Sequence, residues 1–273
     1  MKQEGKVLSV CLITYNHGAY IRQAIEGVLM QKVNFSWELV IADDCSKDDT
    51  RKILLEYKEK YPEKIHLILQ DKNVGPMKNW IDLISYPTSK YIAYFEGDDY
   101  WIDDLKLQKQ VDFFEKNPEF SLSFHNVEVA NMIEGYNYTY PTPPKEVLTV
   151  KDMLFKHYIP SCSIMFVREK LTIPFPQWFV SCKMGDIPME LMLADQGKVK
   201  YFPEKMGLYR KHGGGLTLNK EQIKAGRKAY LDVYRKLNKH FNYKYWYLFS
   251  VVINKVKLGY IKDWLGLNSV LKR

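Results

Sequence analysis

The sequence predicts an α/β fold: a mostly parallel β-sheet with helices on both faces, followed by a basic helical extension at the C-terminus. Four short, nearly continuous apolar runs are typical of buried parallel strands. They cover residues 7–14, 38–42, 65–69 and 91–95. Amphipathic stretches separate them and predict helices at residues 19–30, 48–57 and 77–84. Strands and helices that alternate at this spacing indicate a parallel sheet.

The second half of the sequence is less regular. Helices are predicted at residues 103–116 and 184–194, and Thr149 is a suitable N-cap for a short one. The predicted strands cover residues 120–129, 163–167, 198–202 and 206–210. Residues 136–144, rich in Tyr and Pro, and the glycine-rich residues 211–216 are predicted as loops.

The composition is that of a packed globular protein, with 46% hydrophobic and 14% aromatic residues in 273. No apolar run reaches about 18 residues, so no membrane-spanning helix is expected. The first residues lack the apolar segment and cleavage site of a signal peptide. The four cysteines have no CxxC spacing, and we expect reduced thiols in a cytoplasmic protein. They are Cys11, Cys45, Cys162 and Cys182.

The positive charge is concentrated at the C-terminus. Residues 216–273 contain thirteen Lys and Arg against three acidic residues, a net charge of +10, whereas the whole chain carries +8. Within this extension, residues 241–273 interleave aromatic, aliphatic and basic side chains, as in helices that lie at a membrane interface. We expect peripheral contact with the inner face of the plasma membrane; the alternative is a helix packed on the core with solvated lysines. No nucleic-acid-binding motif accompanies the charge, and no nucleic acid is expected.

Three polar loops follow predicted strand ends and should converge on one cleft, because ligands bind beyond the carboxyl ends of parallel strands. They are residues 14–16, residues 43–44 and residues 96–99. In the last loop, Asp98 and Asp99 follow Gly97, which lets a ligand approach the backbone. Carboxylates there suit a hard divalent cation that neutralises a diphosphate. A Gly-Asp-Asp segment alone is equally typical of a turn.

Two further residues point to a nucleotide. Asp44 can accept a hydrogen bond from a nucleobase N–H or a ribose hydroxyl. The alternative is that Asp43 or Asp44 only caps the helix that starts near Ser46. Lys78 is predicted in the first turn of the next helix, where phosphate is favoured, or it is a solvated lysine.

Four motifs occur in order and together resemble glycosyltransferase family 2, the inverting GT-A family of bacterial polysaccharide assembly. They are residues 10–16, residues 43–50, Asn73-x-Gly75-x-x-x-Asn79 and residues 96–99. The resemblance covers about residues 5–215. It implies a GT-A catalytic domain at residues 1–215, with a nucleotide-binding half to about residue 100 and an acceptor half at about 101–215. Residues 216–273 form the extension.

The resemblance also implies roles for the donor-side residues. Base and ribose would be held by Thr14, Tyr15, Asn16 and Asp44. Lys78 would replace the usual arginine near the diphosphate. Asp99 would bind Mn²⁺ or Mg²⁺ directly, and Asp98 would contact the ribose or support the metal. Glu96 stands where the family often has Asp.

The family places an acidic pair, the catalytic base, at the start of a late helix, and here this pair is Gly185-Asp186. Asp186 would take the proton from the attacking acceptor hydroxyl. The alternative is an N-cap before Pro188. Because Gly185 replaces the acidic residue of the family, the contacts with the acceptor are expected to differ more than the base itself.

Residues 209–215 resemble the family segment in which an arginine, a spacer and a histidine follow each other. Arg210 would neutralise phosphate charge, and His212 would bind the metal or contact the diphosphate. His212 as a structural residue is the alternative. The glycines at 213–215 predict a lid that orders over the donor.

The sequence therefore predicts an inverting, metal-assisted transfer of a sugar from a nucleotide-diphosphate donor to a hydroxyl. UDP is the expected nucleotide, and a glycan or polyprenyl-linked molecule the expected acceptor, both from the resemblance. Two other classes of enzyme lack their motif in this sequence. A sugar-phosphate nucleotidyltransferase would have a Gly-rich, Arg-containing loop after its first strand, and residues 14–18 are not such a loop. A dinucleotide-binding dehydrogenase would have a GxGxxG motif, which is absent. A non-catalytic nucleotide-sugar-binding protein stays open because of Gly185.

Overall fold

The computed structural model describes residues 6–182, 185–213 and 220–264, without the side chains of residues 220–227 and 260–264. Its strands are β1 (Leu8–Thr14), β2 (Trp37–Asp43), β3 (Ile65–Leu69), β4 (Tyr91–Glu96), β5 (Tyr100–Trp101), β6 (Phe120–Asn131), β7 (Tyr136–Thr139), β8 (Val147–Leu148), β9 (Met165–Val167) and β10 (Lys198–Lys211). Its α-helices are α1 (Ile21–Leu29), α2 (Thr50–Lys60), α3 (Pro76–Ser85), α4 (Lys106–Lys116), α5 (Val150–Phe155), α6 (Gln177–Val180), α7 (Asp186–Gln196), α8 (Lys220–His240) and α9 (Trp246–Trp264). Two 3₁₀ turns cover Ser161–Ser163 and Arg168–Lys170.

One sheet runs through the molecule in the order β3-β2-β1-β4-β9-β6-β10-β5. The first four strands are parallel, as the sequence predicts. Both faces are buried: Leu8, Val10 and Leu12 of β1 pack with α1 and α2, whereas Cys11 packs with α3 on the other face. This burial on both sides explains why the strands read as continuous apolar runs.

The second half of the sheet differs from the prediction in several places, and β5 and β8 are strands that were not predicted. Residues 198–211 form one strand, β10, parallel to β6; irregular register around Lys205 accommodates the interruption that separated the two predicted strands. Residues 136–139 form β7, not loop, because β6 continues to residue 131 and pairs back across Gly135, whose φ is +76°. Residues 161–163 form a 3₁₀ turn, so β9 begins only at Met165. The predicted cap is present: Thr149 forms a capping box with Asp152.

The C-terminal extension packs on the core in its described part, which is the alternative to membrane contact in the sequence analysis. Val233, Leu237 and Phe249 are buried in the cluster on the α3 face of the sheet. Lys244 and Tyr245 donate hydrogen bonds of 2.7 and 2.8 Å to Asp195, near the C-terminal end of α7. The predicted boundary near residue 215 falls in residues 214–219, outside the described residues.

The face of the extension that points away from the core is aromatic. Tyr243, Trp246 and Tyr247 are 57%, 61% and 64% exposed. None of the described helices is both long enough and apolar enough to cross a membrane. All four cysteines are free thiols.

Replacing Phe249 by Ala should lower the free energy of unfolding by about 3–5 kcal/mol, because its buried ring packs beside Tyr234 and Phe241. Urea unfolding followed by circular dichroism measures the change. Tyr247→Ala on the exposed face is the control and should change stability by less than about 0.5 kcal/mol. Equal, small effects of both substitutions would show that α9 is not docked.

Candidate nucleotide-binding and catalytic site

The ends of β1, β2 and β4 lie side by side and are joined by backbone hydrogen bonds. The Asp44 N–H donates to the Thr14 carbonyl at 3.1 Å, and the Gly97 N–H donates to the Ile13 carbonyl at 2.9 Å. Three loops predicted to meet at the carboxyl edge of the sheet are therefore adjacent.

The loop after β1 is fastened to the loop after β2. Asn16, at φ +56°, donates its N–H to Ser46 Oγ at 2.8 Å, and its Oδ1 accepts the Lys47 N–H at 2.7 Å. Asn tolerates this left-handed backbone better than most residues. Tyr15 is 41% exposed beside it, and Thr14 is buried with an unpartnered Oγ1. Thr14 and Tyr15 thus present side chains to the edge, whereas Asn16 uses its amide to hold the loops together.

The two acids after β2 have different partners. Asp43 accepts the Ser46 N–H at 3.3 Å and pairs with Arg51 at 2.8 Å, but it does not cap a helix, because α2 begins only at Thr50 with Asp49 as its N-cap. Asp44 accepts the Val74 N–H at 2.6 Å and the Gly75 N–H at 3.0 Å. Asp44 therefore ties the loop before α3 to the sheet edge, and its role towards a base or ribose stays a prediction.

Lys78 lies in the first turn of α3, as predicted, because the helix begins at Pro76. Its ammonium forms an ion pair with Asp82, one turn later, and the side chain is 54% exposed. The structure thus shows the solvated, paired lysine of the alternative, and its role towards phosphate stays a prediction.

The acidic cluster consists of Glu96, Asp98 and Asp99. Each offers one carboxylate oxygen, and these oxygens lie within 4.8 Å of one another. Burial, together with the charges of Asp98 and Asp186, raises the pKa of Glu96 to about 8. Burial and the charges of Asp98 and Glu96 raise the pKa of Asp99 well above its ordinary value. Burial and the neighbouring carboxylates thus disfavour the charged forms of Glu96 and Asp99, and a bound cation would favour them.

Several polar atoms around this cluster are buried without a partner. They are Asp98 Oδ1, Asp99 Oδ2, Thr14 Oγ1 and His17 Nδ1. A Cβ at Gly97 would lie 2.9 Å from Thr14 Oγ1 and 3.0 Å from His17 Nδ1. Unpaired buried oxygens are costly, and oxygen ligands with surplus negative charge are what Mg²⁺ or Mn²⁺ prefers. The residues present therefore fit a divalent metal, and Asp99 and Asp98 as its ligands stay a prediction.

Arg210 closes the cluster from β10. Its backbone N–H donates to Asp99 Oδ1 at 2.8 Å, and its guanidinium donates to the Asp98 carbonyl and to Gln23. The guanidinium also lies 5.1 Å from the ring of Tyr20. Arg210 is thus beside the acids, where the sequence analysis expects it.

His212 lies next to Asp98, with Nε2 3.0 Å from Asp98 Oδ2. Its ring is 4.7 Å from that of Tyr20. The structure brings His212 to the predicted place, and the pairing with Asp98 favours a role in orienting that carboxylate. The lid predicted at residues 213–215 lies outside the described residues except for Gly213.

Asp186 is the first residue of α7, and Gly185 is the N-cap. Asp186 is therefore not the cap, in contrast to the alternative. Its charge contributes to the raised pKa of Glu96 and of Tyr94, so its carboxylate is close to the acidic cluster. Asp186, from the second half of the chain, is thus within electrostatic range of the strand ends of the first half.

His17 is a further neighbour of the cluster, and no role was predicted for it from the sequence. His17 Nε2 lies 3.8 Å from Asp98 Oδ2, and burial lowers the pKa of His17. Its position could have suggested this role, because His17 directly follows the polar residues 14–16 at the end of β1.

The comparisons with known proteins show the family of this chain. The family described as Glycosyl transferase family 2 matches residues 9–172. TuaG of Bacillus subtilis, named for a glycosyltransferase of teichuronic acid biosynthesis, is 30% identical over 92% of this chain and 96% of its own length. An uncharacterized protein of Mycobacterium tuberculosis is 33% identical over 77% of this chain. The chain covers only 60% of that relative's length.

Solved structures show the same fold. TarS of S. aureus, residues 1–349 in complex with UDP-GlcNAc, has a TM-score of 0.63 at 17% identity, covering 82% of this chain and 66% of that one. The mannosyltransferase PcManGT of Pyrobaculum calidifontis, in complex with GDP-Man and Mn²⁺, has a TM-score of 0.57 at 13% identity, covering 94% and 74%. The fold and site define a GT-A protein, and the chain belongs to glycosyl transferase family 2.

Replacing Gly97 by Ala should lower the free energy of unfolding by about 1–3 kcal/mol, because the new methyl group overlaps buried neighbours. It should also abolish Mn²⁺ binding measured by calorimetry. Gly213→Ala is the control, since no atom lies within 4 Å of a Cβ there. Unimpaired Mn²⁺ binding by Gly97→Ala would contradict a metal site at this turn.

Proposed function

We propose that this chain is an inverting glycosyltransferase that moves a sugar from a nucleotide-diphosphate donor to a hydroxyl of a glycan or lipid-linked acceptor. The observation that supports the proposal is the cluster of Glu96, Asp98 and Asp99 at one edge of the sheet, with Asp186 of α7 near enough for its charge to raise the pKa of Glu96. A donor-binding edge and a separate carboxylate from the acceptor half are the two parts that this reaction needs.

A UDP-sugar is the proposed donor. Two observations support it: TarS, which shares the fold, is solved with UDP-GlcNAc, and WfgD of Escherichia coli is named for a UDP-Glc glucosyltransferase. WfgD is 30% identical over 46% of this chain and 47% of its own length. The exposed ring of Tyr15 and the buried, unpartnered hydroxyl of Thr14 are the proposed contacts of base and ribose.

Asp98 and Asp99 are proposed to hold Mn²⁺ or Mg²⁺, which supplies positive charge to the diphosphate as it leaves. Arg210 and His212 keep these carboxylates in place through the contacts from β10. Glu96, whose pKa is raised to about 8, accepts a hydrogen bond from Ser161 at 3.4 Å. Together, the bound metal and these side chains are proposed to hold the donor with its anomeric carbon towards Asp186.

Asp186 is the proposed base. Its carboxylate takes the proton of the acceptor hydroxyl while the hydroxyl oxygen forms the new bond to the anomeric carbon. The bond from that carbon to the diphosphate oxygen breaks on the opposite side, so the configuration inverts. Asp186 at the first turn of α7 is presented by the helix rather than by a loop, which restricts its position.

The function is tested by nucleoside diphosphate release from a panel of sugar donors, with Mn²⁺ and with a chelator. Metal-dependent release from a UDP-sugar in the presence of a glycan or lipid acceptor is the expected result. A donor that is bound with metal but never cleaved would favour a non-catalytic nucleotide-sugar-binding protein. Neither binding nor cleavage of any donor would overturn the proposal.

Replacing Asp186 by Asn should lower kcat for transfer by about 10²–10⁴-fold, because the base is lost, and leave the donor Kd within about twofold. Steady-state kinetics and donor titration measure the two quantities. Asp112→Asn, on the exposed face of α4, is the matched control and should behave as wild type. Full activity of the Asp186→Asn variant would exclude Asp186 as the base.

The exposed aromatic face of α9 supports a second element of the proposal, contact with an anionic membrane that carries a lipid-linked acceptor. WfgD is named for an acceptor on diphosphoundecaprenol. Tyr243, Trp246 and Tyr247 are exposed in a strongly basic extension, and aromatic rings with basic neighbours suit the headgroup region.

Replacing Tyr243, Trp246 and Tyr247 together by Ser should lower binding to vesicles of anionic phospholipid by about tenfold or more. Sedimentation with vesicles measures it. Removing residues 241–273 is the poorer test, because Phe241, Phe249 and Val252 belong to the core. Vesicle binding that is unchanged in the triple variant would exclude this face as the contact.

A further inference from the structure

A buried ion pair lies beside Asp186, outside the donor site. Glu190 is one turn after Asp186 on α7, and its side chain is 2% exposed. Its two oxygens accept from His157 Nε2 at 3.0 and 3.3 Å. His157 follows α5 and is one-third exposed. A carboxylate this deeply buried needs a charged partner, and the structure provides one from another segment.

The surroundings of this pair carry negative charge and aromatic rings. Asp186 and Glu190 face His157 from α7, and their charges contribute to the raised pKa of Tyr140 and of Tyr230. Two neighbouring lysines lie over aromatic rings and form no ion pair with Glu190 or Asp186 among the described residues. Lys156 lies over the ring of Tyr158, and Lys255 of α9 lies over that of Phe155.

No ion pair joins Asp186 to a Lys or Arg among the described residues. Among the described residues, His157 is therefore a positive charge that pairs with Glu190 and also interacts electrostatically with Asp186. Burial opposes the charge on His157, but Glu190 and Asp186 outweigh it and raise the pKa of His157 to about 9. The imidazolium thus persists through neutral pH and is lost as the pH rises through about 9.

We propose that His157, held by Glu190, is the positioning residue for the base: its imidazolium keeps the start of α7 in place and offsets the charge of Asp186 when the acceptor hydroxyl arrives. The proposal deepens and rests on the proposed function. It adds an acceptor-side cation that none of the family motifs contains. The loss of an acid at Gly185 accords with it, because the second carboxylate lies at Glu190, one turn into the helix.

The proposal is tested first without turnover, by NMR titration of the histidine side chains in the full chain. The His157 signal, assigned by its absence in His157→Gln, should titrate near pH 9 in the wild type. In Glu190→Gln it should titrate at lower pH, because the carboxylate that favours the imidazolium is gone. Titration of His157 near pH 6.5 in both proteins would overturn the proposal.

The second test is the pH dependence of kcat/KM for transfer. Wild type should lose activity above about pH 9, and in Glu190→Gln this loss should move to lower pH. His157→Gln should lower kcat about ten- to hundredfold at pH 7 with the donor KM unchanged. His157→Lys, which keeps the charge, should recover part of this loss and move the basic limb upward.

The pair His66–Glu38 is the matched control. Its atoms are 3.3 Å apart, and His66 is also one-third exposed, but it lies near the start of β3, far from the strand ends that form the site. His66→Gln should leave the profile unchanged. A wild type that turns over no donor would refute the proposed function, whereas an active wild type whose kcat and profile do not respond to His157→Gln or Glu190→Gln would refute this inference alone.

Discussion

Three carboxylates lie close together at the end of β4, Asp99 buried and Glu96 and Asp98 partly buried, and their mutual repulsion is the constraint on which the site depends. Burial and proximity raise the pKa of Glu96 to about 8. The neighbouring segments offer these carboxylates the Arg210 N–H and two histidines, whereas the Arg210 guanidinium donates to the Asp98 carbonyl. Gly97 lets these groups approach without a side chain in between. Folding thus assembles an arrangement that is electrostatically incomplete, and a bound cation with its diphosphate would complete it.

The positions of the strand ends were predictable because parallel strands buried on both faces leave a strong apolar pattern, and their carboxyl ends must share one edge. Asp98 and Asp99 could therefore be placed at this edge, whereas Asp186 was singled out by the family resemblance, and the roles of all three stay predictions. What each acid contacts could not be predicted. Asp43 and Asp44 are adjacent, but one pairs with Arg51 and the other accepts N–H groups from a loop 30 residues away. Such choices depend on tertiary distances, which local patterns do not contain.

Less could be predicted for the second half. β7 exists because β6 extends two residues beyond its apolar alternation and offers an edge for pairing. β10 continues through a stretch of irregular register near Lys205, where the residue pattern predicted two separate strands. The pair of His157 and Glu190 joins residues 33 apart, so only the helical spacing from Asp186 to Glu190 could have suggested it. In the extension, apolar positions for the core and aromatic positions for solvent alternate within the same stretch, and composition alone does not separate them.

Helix α7 carries Asp186 at its first turn and accepts Lys244 and Tyr245 at Asp195 near its last. Its eleven residues form a rod about 16 Å long between the two points. If α9 rests on a bilayer, this rod sets the height of the reacting hydroxyl above the lipid headgroups. The length of α7 would then set the distance between Asp186 and the membrane surface. Acceptors would be selected by the distance of their reacting hydroxyl from the lipid headgroups.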